Sequence, residues 1–177
     1  MKYKEIYLAG GCFWGTEHFL RRLAGIKETE VGYANSLKPS PTYHEVCGGI
    51  TDAVETVQVV YDPKEISLPF LLKNYFLTID PTSIDQQGGD KGRQYRTGIY
   101  YIYPDDAEVI HTQLAELQQR YTLPIAIECL PLTNFYPAEP EHQDYLIKHR
   151  GGYCHIPQEL FRLASNAQDP SFEKTCK

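Results

Sequence analysis

Residues 4–25 read KEIYLAGGCFWGTEHFLRRLAG, and the change of period within them sets the kind of fold. Lys4 to Ala9 is an apolar run of strand length, ended by Gly10-Gly11. From Phe13 to Ala24 the residues Trp14, Phe19, Leu20 and Leu23 suit one face of a helix, and Gly25 closes it. Cys12 therefore stands where a strand turns into the first turn of a helix.

The same alternation continues outward. Glu28 to Tyr33 reads as a second strand, and Ala34 to Ile50, rich in Pro, Ser, Asn and Gly, as a long loop. Val54 to Tyr61 has strand chemistry, with Val57, Val59 and Tyr61 alternating against Thr56, Gln58 and Val60. Ser67 is a helix cap ahead of Phe70, Leu71, Tyr75 and Phe76. Asp80 to Arg93 is a second long loop, and Thr97 to Tyr103 a Tyr-rich strand. Pro104-Asp105-Asp106 opens a third helix carrying Ile110, Leu114 and Leu117. Ile125 to Leu130 is a last strand, followed by a short helix near His142 to His149. The order β-α-β-β-α-β-α-β predicts an α+β fold of split βαβ, ferredoxin-like plan. Helices cover a mixed, largely antiparallel sheet, with long active-site loops and an irregular C-terminal tail. Residues 1–177 are read as one catalytic domain, with 150–177 as the tail.

The chain has 177 residues, enough for one domain with a real core. Its net charge of -6, with 17 scattered Lys and Arg, argues against nucleic acid as a partner. No apolar run reaches membrane-spanning length, and MKYKEIYLAGG is too charged and too short of apolar residues for a signal peptide. Five cysteines, an odd number, do not suggest a disulfide framework, so a reducing cytoplasm is the expected location. A monomer without cofactor or metal is expected.

Cys12 is the strongest chemical candidate. Free amides and the dipole at a helix start favour an anion, so its thiol is predicted to ionise well below the usual ~8.5. Glycines on both sides leave room for a substrate, which a cysteine that merely fills a turn would not need. Phe13 and Trp14 read as core packing or as an apolar wall beside the thiolate. On the residues alone Tyr43 and Tyr95 are ordinary packing or surface tyrosines. Glu55 could be an exposed strand carboxylate, and Asp90 a turn cap beside two glycines.

Gly10-Gly11-Cys12-Phe13-Trp14-Gly15 resembles the signature of the A-type peptide methionine sulfoxide reductases. Val31-Gly32-Tyr33-Ala34 followed by 41–47 (PTYHEVC) resembles that family's GYA…PTYxEVC stretch, and Glu55 falls where the family carries its acid. Residues 80–83 (DPTS) and 87–96 (QGGDKGRQYR), then 135–139 (FYPAE), His142-Gln143 and 152–156 (GYCHI), continue the likeness in order from Tyr7 to about Ile156. Three departures stand out. Ala53-Val54 precedes the acid where His or Phe and then Ala are usual. Glu141 takes the place of an aromatic before His142-Gln143. No second recycling cysteine occurs before Cys176.

The resemblance implies that Cys12 attacks the sulfur of methionine S-sulfoxide, free or in proteins, leaving a sulfenic acid. Glu55 would be the proton donor, kept partly protonated by an apolar setting. Tyr43 and Tyr95 would hold the sulfoxide oxygen, Asp90 would orient a water or neighbouring donors, and Phe13 and Trp14 would receive the methyl. Cys154 would close a disulfide with Cys12, and thioredoxin would reduce it. Cys47 is expected to be half-buried without a redox task, Cys129 to lie in the core, and Cys176 to be idle. One rival is a cysteine hydrolase or acyltransferase pairing Cys12 with His142, His155 or His44. A zinc-stabilised domain is the other, disfavoured because no C-x-x-C pair exists and Cys154 and His155 are adjacent.

Overall fold

A computed structural model of the protein describes residues 2–172. Its main sheet has six strands: β1 (Lys4–Ala9), β2 (Ile26–Ala34), β3 (Val54–Tyr61), β6 (Gly98–Tyr101), β7 (Glu128–Pro131) and β8 (Phe135–Pro137), in the order β7-β6-β1-β3-β2-β8. A two-residue pair, β4 (Gln86–Gln87) and β5 (Asp90–Lys91), forms a separate hairpin. All pairings in the main sheet are antiparallel except β6 with β7.

Both predicted crossovers are split. β1 and β2 run the same way but are separated by β3, while β3 and β6 run the same way but are separated by β1. Helix α1 (Phe13–Leu20) makes the first crossover and α3 (Leu68–Phe76) the second. The largely antiparallel α+β plan read from the sequence is the observed one.

Central β1 is buried on both faces, which explains its unbroken apolar run. Ile6 and Leu8 join the main core with Val57, Val59, Phe19, Leu20, Leu71 and Leu72. Tyr7 and Ala9 face a smaller cluster with Ala34, Val54 and Tyr100, closed by Leu132 and Phe135. In β3, Val57, Val59 and Tyr61 belong to the main core, and Glu55 continues the same inward row.

Several boundaries differ from expectation. Helix α1 ends at Leu20, and turns carry the chain to Gly25. The first long loop contains α2 (Tyr43–Cys47), opened by a Thr42–Glu45 capping box. Helix α4 (Pro104–Gln118) joins β6 to β7, which starts at Glu128 rather than Ile125. The short helix near His142 to His149 is a 3₁₀ turn (Pro140–His142) followed by α5 (Tyr145–Lys148), parted where Asp144 takes a left-handed φ of 53°. The C-terminal tail is not irregular throughout: α6 (Gln158–Asn166) buries Phe161 and Ala164 against the main core. Cys176 lies outside the described residues.

Candidate active site

The site forms where β1 delivers the chain to α1. Gly11 has φ +78°, a left-handed value, and its amide donates to the Tyr95 carbonyl at 3.1 Å. Space is equally limiting, because a Cβ on Gly11 would lie 3.0 Å from both Gln87 Cβ and the His155 ring. Cys12 follows as the N-cap residue, in extended conformation (φ −62°, ψ 125°), with no side chain capping the helix. The first free amide of α1 instead meets an acid from β3: Phe13 N donates to Glu55 Oε2 at 3.2 Å.

Glu55 is 1% exposed, and its other oxygen has no hydrogen-bond partner. Burial pushes its carboxyl up to about 8, opposed by the Phe13 amide and reinforced by the charge of Asp90. The acid read from sequence as a possible surface carboxylate is thus a buried group, protonated near neutrality.

The structure corrects the expected ionisation of Cys12. The thiol is 7% exposed, and burial raises it far above the ordinary range, with the Glu55 charge adding to the effect. The Trp14 amide acts in the opposite direction and is outweighed. A helix start favours the thiolate, but desolvation outweighs it here.

The other residues converge on this pair. Tyr43 opens α2, with its amide held by Glu139 Oε2 at 3.2 Å. Tyr95 ends a 3₁₀ turn (Arg93–Tyr95) beyond the β4–β5 hairpin. Burial and then the Glu55 charge raise both phenols, so each stays a hydroxyl donor near the acid. Asp90 sits in the hairpin and accepts from the Tyr153 hydroxyl at 3.0 Å. Trp14 stacks on Tyr145 with centroids 3.7 Å apart, and Phe13 lies tilted against Tyr33. Cys154 also reaches the site: its charge acts on Cys12, and a Cβ on Gly15 would be 2.9 Å from its sulfur. All six expected catalytic residues and both apolar ones are therefore brought together.

A support layer escaped sequence reasoning. Glu139 accepts from the Tyr33 hydroxyl as well as from the Tyr43 amide, fixing β8's connection to α2. His142 Nδ1 accepts from Trp14 Nε1 at 3.2 Å, and its ring lies 4.4 Å from that of Tyr43. The only signal for either lies in residues 135–143 themselves, whose partners are about a hundred positions away. Glu139, Glu141 and His142 could offer ligand atoms within 4.8 Å of one another, but Glu139 and His142 already serve this network.

Cys12, Cys47, Cys129 and Cys154 are all free thiols. Cys47 is exposed rather than half-buried. Cys129 lies at the core margin, 3.8 Å from His111 Nε2, instead of inside the core.

The geometry agrees with what the chain is similar to. The family model described as peptide methionine sulfoxide reductase matches residues 4–174. The Lachnoclostridium phytofermentans protein named peptide methionine sulfoxide reductase MsrA is 51% identical over 164 residues, 93% of this chain and 99% of that one. Reduced Mxr1 from Saccharomyces cerevisiae superposes with a TM-score of 0.83 at 42% identity, over 88% of this chain and 92% of that chain. Mxr1 in complex with Trx2 is a further match, with a TM-score of 0.59 at 32% identity, over 81% and 85% of the respective chains.

Proposed function

The chain belongs to the peptide methionine sulfoxide reductases, and from that premise we propose how its residues divide the work. The substrate is methionine S-sulfoxide, free or within a protein, and the reductant is a thioredoxin of the cytoplasm. No described helix is long and apolar enough to cross a membrane.

The observation that carries this reading is the joining of two buried groups at one helix start. Cys12 is the N-cap of α1, and the next amide, that of Phe13, binds Glu55. Reduction needs a sulfur nucleophile and a proton for the sulfoxide oxygen, and this pair supplies both. Glu55, protonated up to about pH 8, gives its proton to the sulfoxide oxygen as Cys12 attacks the substrate sulfur. The thiol proton of Cys12 replaces it on Glu55. The oxygen passes to Cys12 as a sulfenic acid, and methionine leaves as the reduced sulfide. Tyr43 and Tyr95 keep their hydroxyl protons and steady the oxygen by donation. Asp90, tied to Tyr153, orients donors at the mouth, while Phe13 and Trp14 receive the methyl on sulfur.

Cys154 then attacks the sulfenic sulfur, water departs, and thioredoxin reduces the Cys12–Cys154 disulfide. Residues 150–177 thus form the recycling segment of one catalytic domain. Turnover of separated S- and R-sulfoxide epimers with dithiothreitol tests reaction and stereochemistry together. The S epimer should be consumed and the R epimer left, and Cys12→Ser should abolish the reaction. Cys154→Ser should release about one methionine per enzyme from the S epimer and then stall with thioredoxin; sustained thioredoxin-linked turnover would exclude the recycling role.

A further inference from the structure

His155 is a half-buried residue whose imidazole nitrogens are turned inward. Both ring nitrogens are shielded from solvent, and neither makes a hydrogen bond of good geometry. A buried polar group left without partners is costly, so its retention calls for a role. The ring is also tightly placed. Cβ atoms on Gly11 and Gly15 would lie 3.0 Å and 3.5 Å from its Cε1, and the residues on either side of Cys12 therefore form its seat. The Gly15 position is at the same time 2.9 Å from Cys154 Sγ. The imidazole edge and the sulfur of Cys154 thus meet at the same Gly15 position, one helical turn from Cys12.

Recycling poses a chemical problem at this place. Burial raises the Cys154 thiol, and its sulfur sits 3.6 Å from the Ile156 carbonyl, which can accept the S–H. A thiol held in that form is a poor nucleophile until a base takes its proton. The hydroxyl on oxidised Cys12 is a poor leaving group until an acid supplies one.

We propose that His155 is the general acid–base of disulfide closure: it takes the proton from Cys154 as that sulfur attacks Cys12, and returns it to the departing hydroxyl. The balance is complete without a further reactant. Cys154–SH and Cys12–SOH become the Cys12–Cys154 disulfide and one water; the S–S bond forms, the S–O bond breaks, and the imidazole ends neutral as it began. The inference rests on Cys154 being the recycling cysteine.

The ring's surroundings suit that task. Burial lowers His155 below its ordinary 6.5, so at neutral pH it is an acceptor. The charge of Asp90 and the Thr78 carbonyl oppose that shift and favour the imidazolium that forms in passing. Asp90 is the acid whose charge acts on the ring, and Cys154 is its titratable neighbour in the chain.

The test separates the two chemical steps in the full chain. Reduced enzyme is mixed rapidly with excess methionine S-sulfoxide and no external thiol, and methionine release and loss of titratable thiols are followed separately. In the wild type, loss of the second thiol, beyond the one that disappears with methionine release, should be pH-independent between about pH 7 and 8. A rate that climbs tenfold per unit across that range overturns the proposal without any variant. His155→Gln should still release about one methionine per enzyme and lose one thiol with it, showing a folded site, but lose the second thiol, that of Cys154, at least about 100-fold more slowly, with the rate now rising with pH. Loss of that second thiol within threefold of wild type, with an unchanged profile, overturns it. Cys154→Ser separates this inference from its premise. If that variant still closes a disulfide with Cys12, the assignment of Cys154 fails; if it stalls while His155→Gln proceeds normally, only the role of His155 is lost.

Discussion

Glu55 concentrates the energetic conflict of this site in one side chain. Its carboxyl titrates near 8 in the fold against an ordinary 4.5, so the folded protein holds that proton more tightly than the unfolded chain. The burden is absent below about pH 4.5, grows as pH rises, and levels off above about 8. At pH 7 it is on the order of 3 kcal/mol. Glu55→Gln should therefore melt higher than the wild type at pH 8 and gain less at pH 5, as calorimetry across that range will read. The same substitution should slow methionine release by about 100-fold or more at pH 7. It should also remove the fall in wild-type rate as pH passes about 8. Much of this site was legible residue by residue. Gly-Gly-Cys marks a strand-to-helix turn, whereas Glu55 read alone as a possible exposed strand carboxylate, and only its likeness to the family's acid pointed to the site. The charge state of Cys12 was not legible. A helix start is a local feature, whereas the burial that outweighs it comes from the assembled fold, which also brings the charges of Glu55 and Cys154 to bear. His142 and Glu139 were opaque for the same reason, since each acts through partners a hundred positions away.

At the scale of elements, helix α3 shows how local chemistry anchors a helix that backs the strand leading to Cys12. Ser67 accepts from Phe70 N, and its own amide and hydroxyl both donate to Asp169 Oδ2, at 2.8 and 2.7 Å. One residue thus caps α3 and ties down the chain just beyond α6. Ser67→Ala should cost about 1–2 kcal/mol in urea unfolding while leaving methionine release unchanged. Elements with a strong period and a clear cap were legible in place: β3 matches Val54–Tyr61, and α3 starts after Ser67 as expected. Helix α6 was not. Leu160, Phe161 and Ala164 have helical spacing, but only Phe161 and Ala164 are buried, and the helix is held by packing on α1 rather than by its own composition. Asp144, with its left-handed φ, likewise broke an apparent helix into two pieces that no periodicity could separate.

Across the whole molecule, the C-terminal segment folds back over α1 and brings Cys154 to Cys12. Phe161 pins it, buried edge-on against His18 with centroids 4.9 Å apart and beneath the Arg22 guanidinium. Phe161→Ala should cost about 3 kcal/mol or more, and the loosened segment should slow disulfide closure more than methionine release in the same rapid-mixing assay. The centre of the sheet carries a different consequence. β1 is made first, yet its two neighbours are β3 and β6, and β6 begins only at Gly98. On the ribosome, the strand leading to Cys12 must therefore wait, unpaired along one edge, until the chain has been synthesised past Gly98. Nascent chains arrested before Gly98 should be cut readily by protease and engage chaperones, and those arrested well after Tyr101 should not.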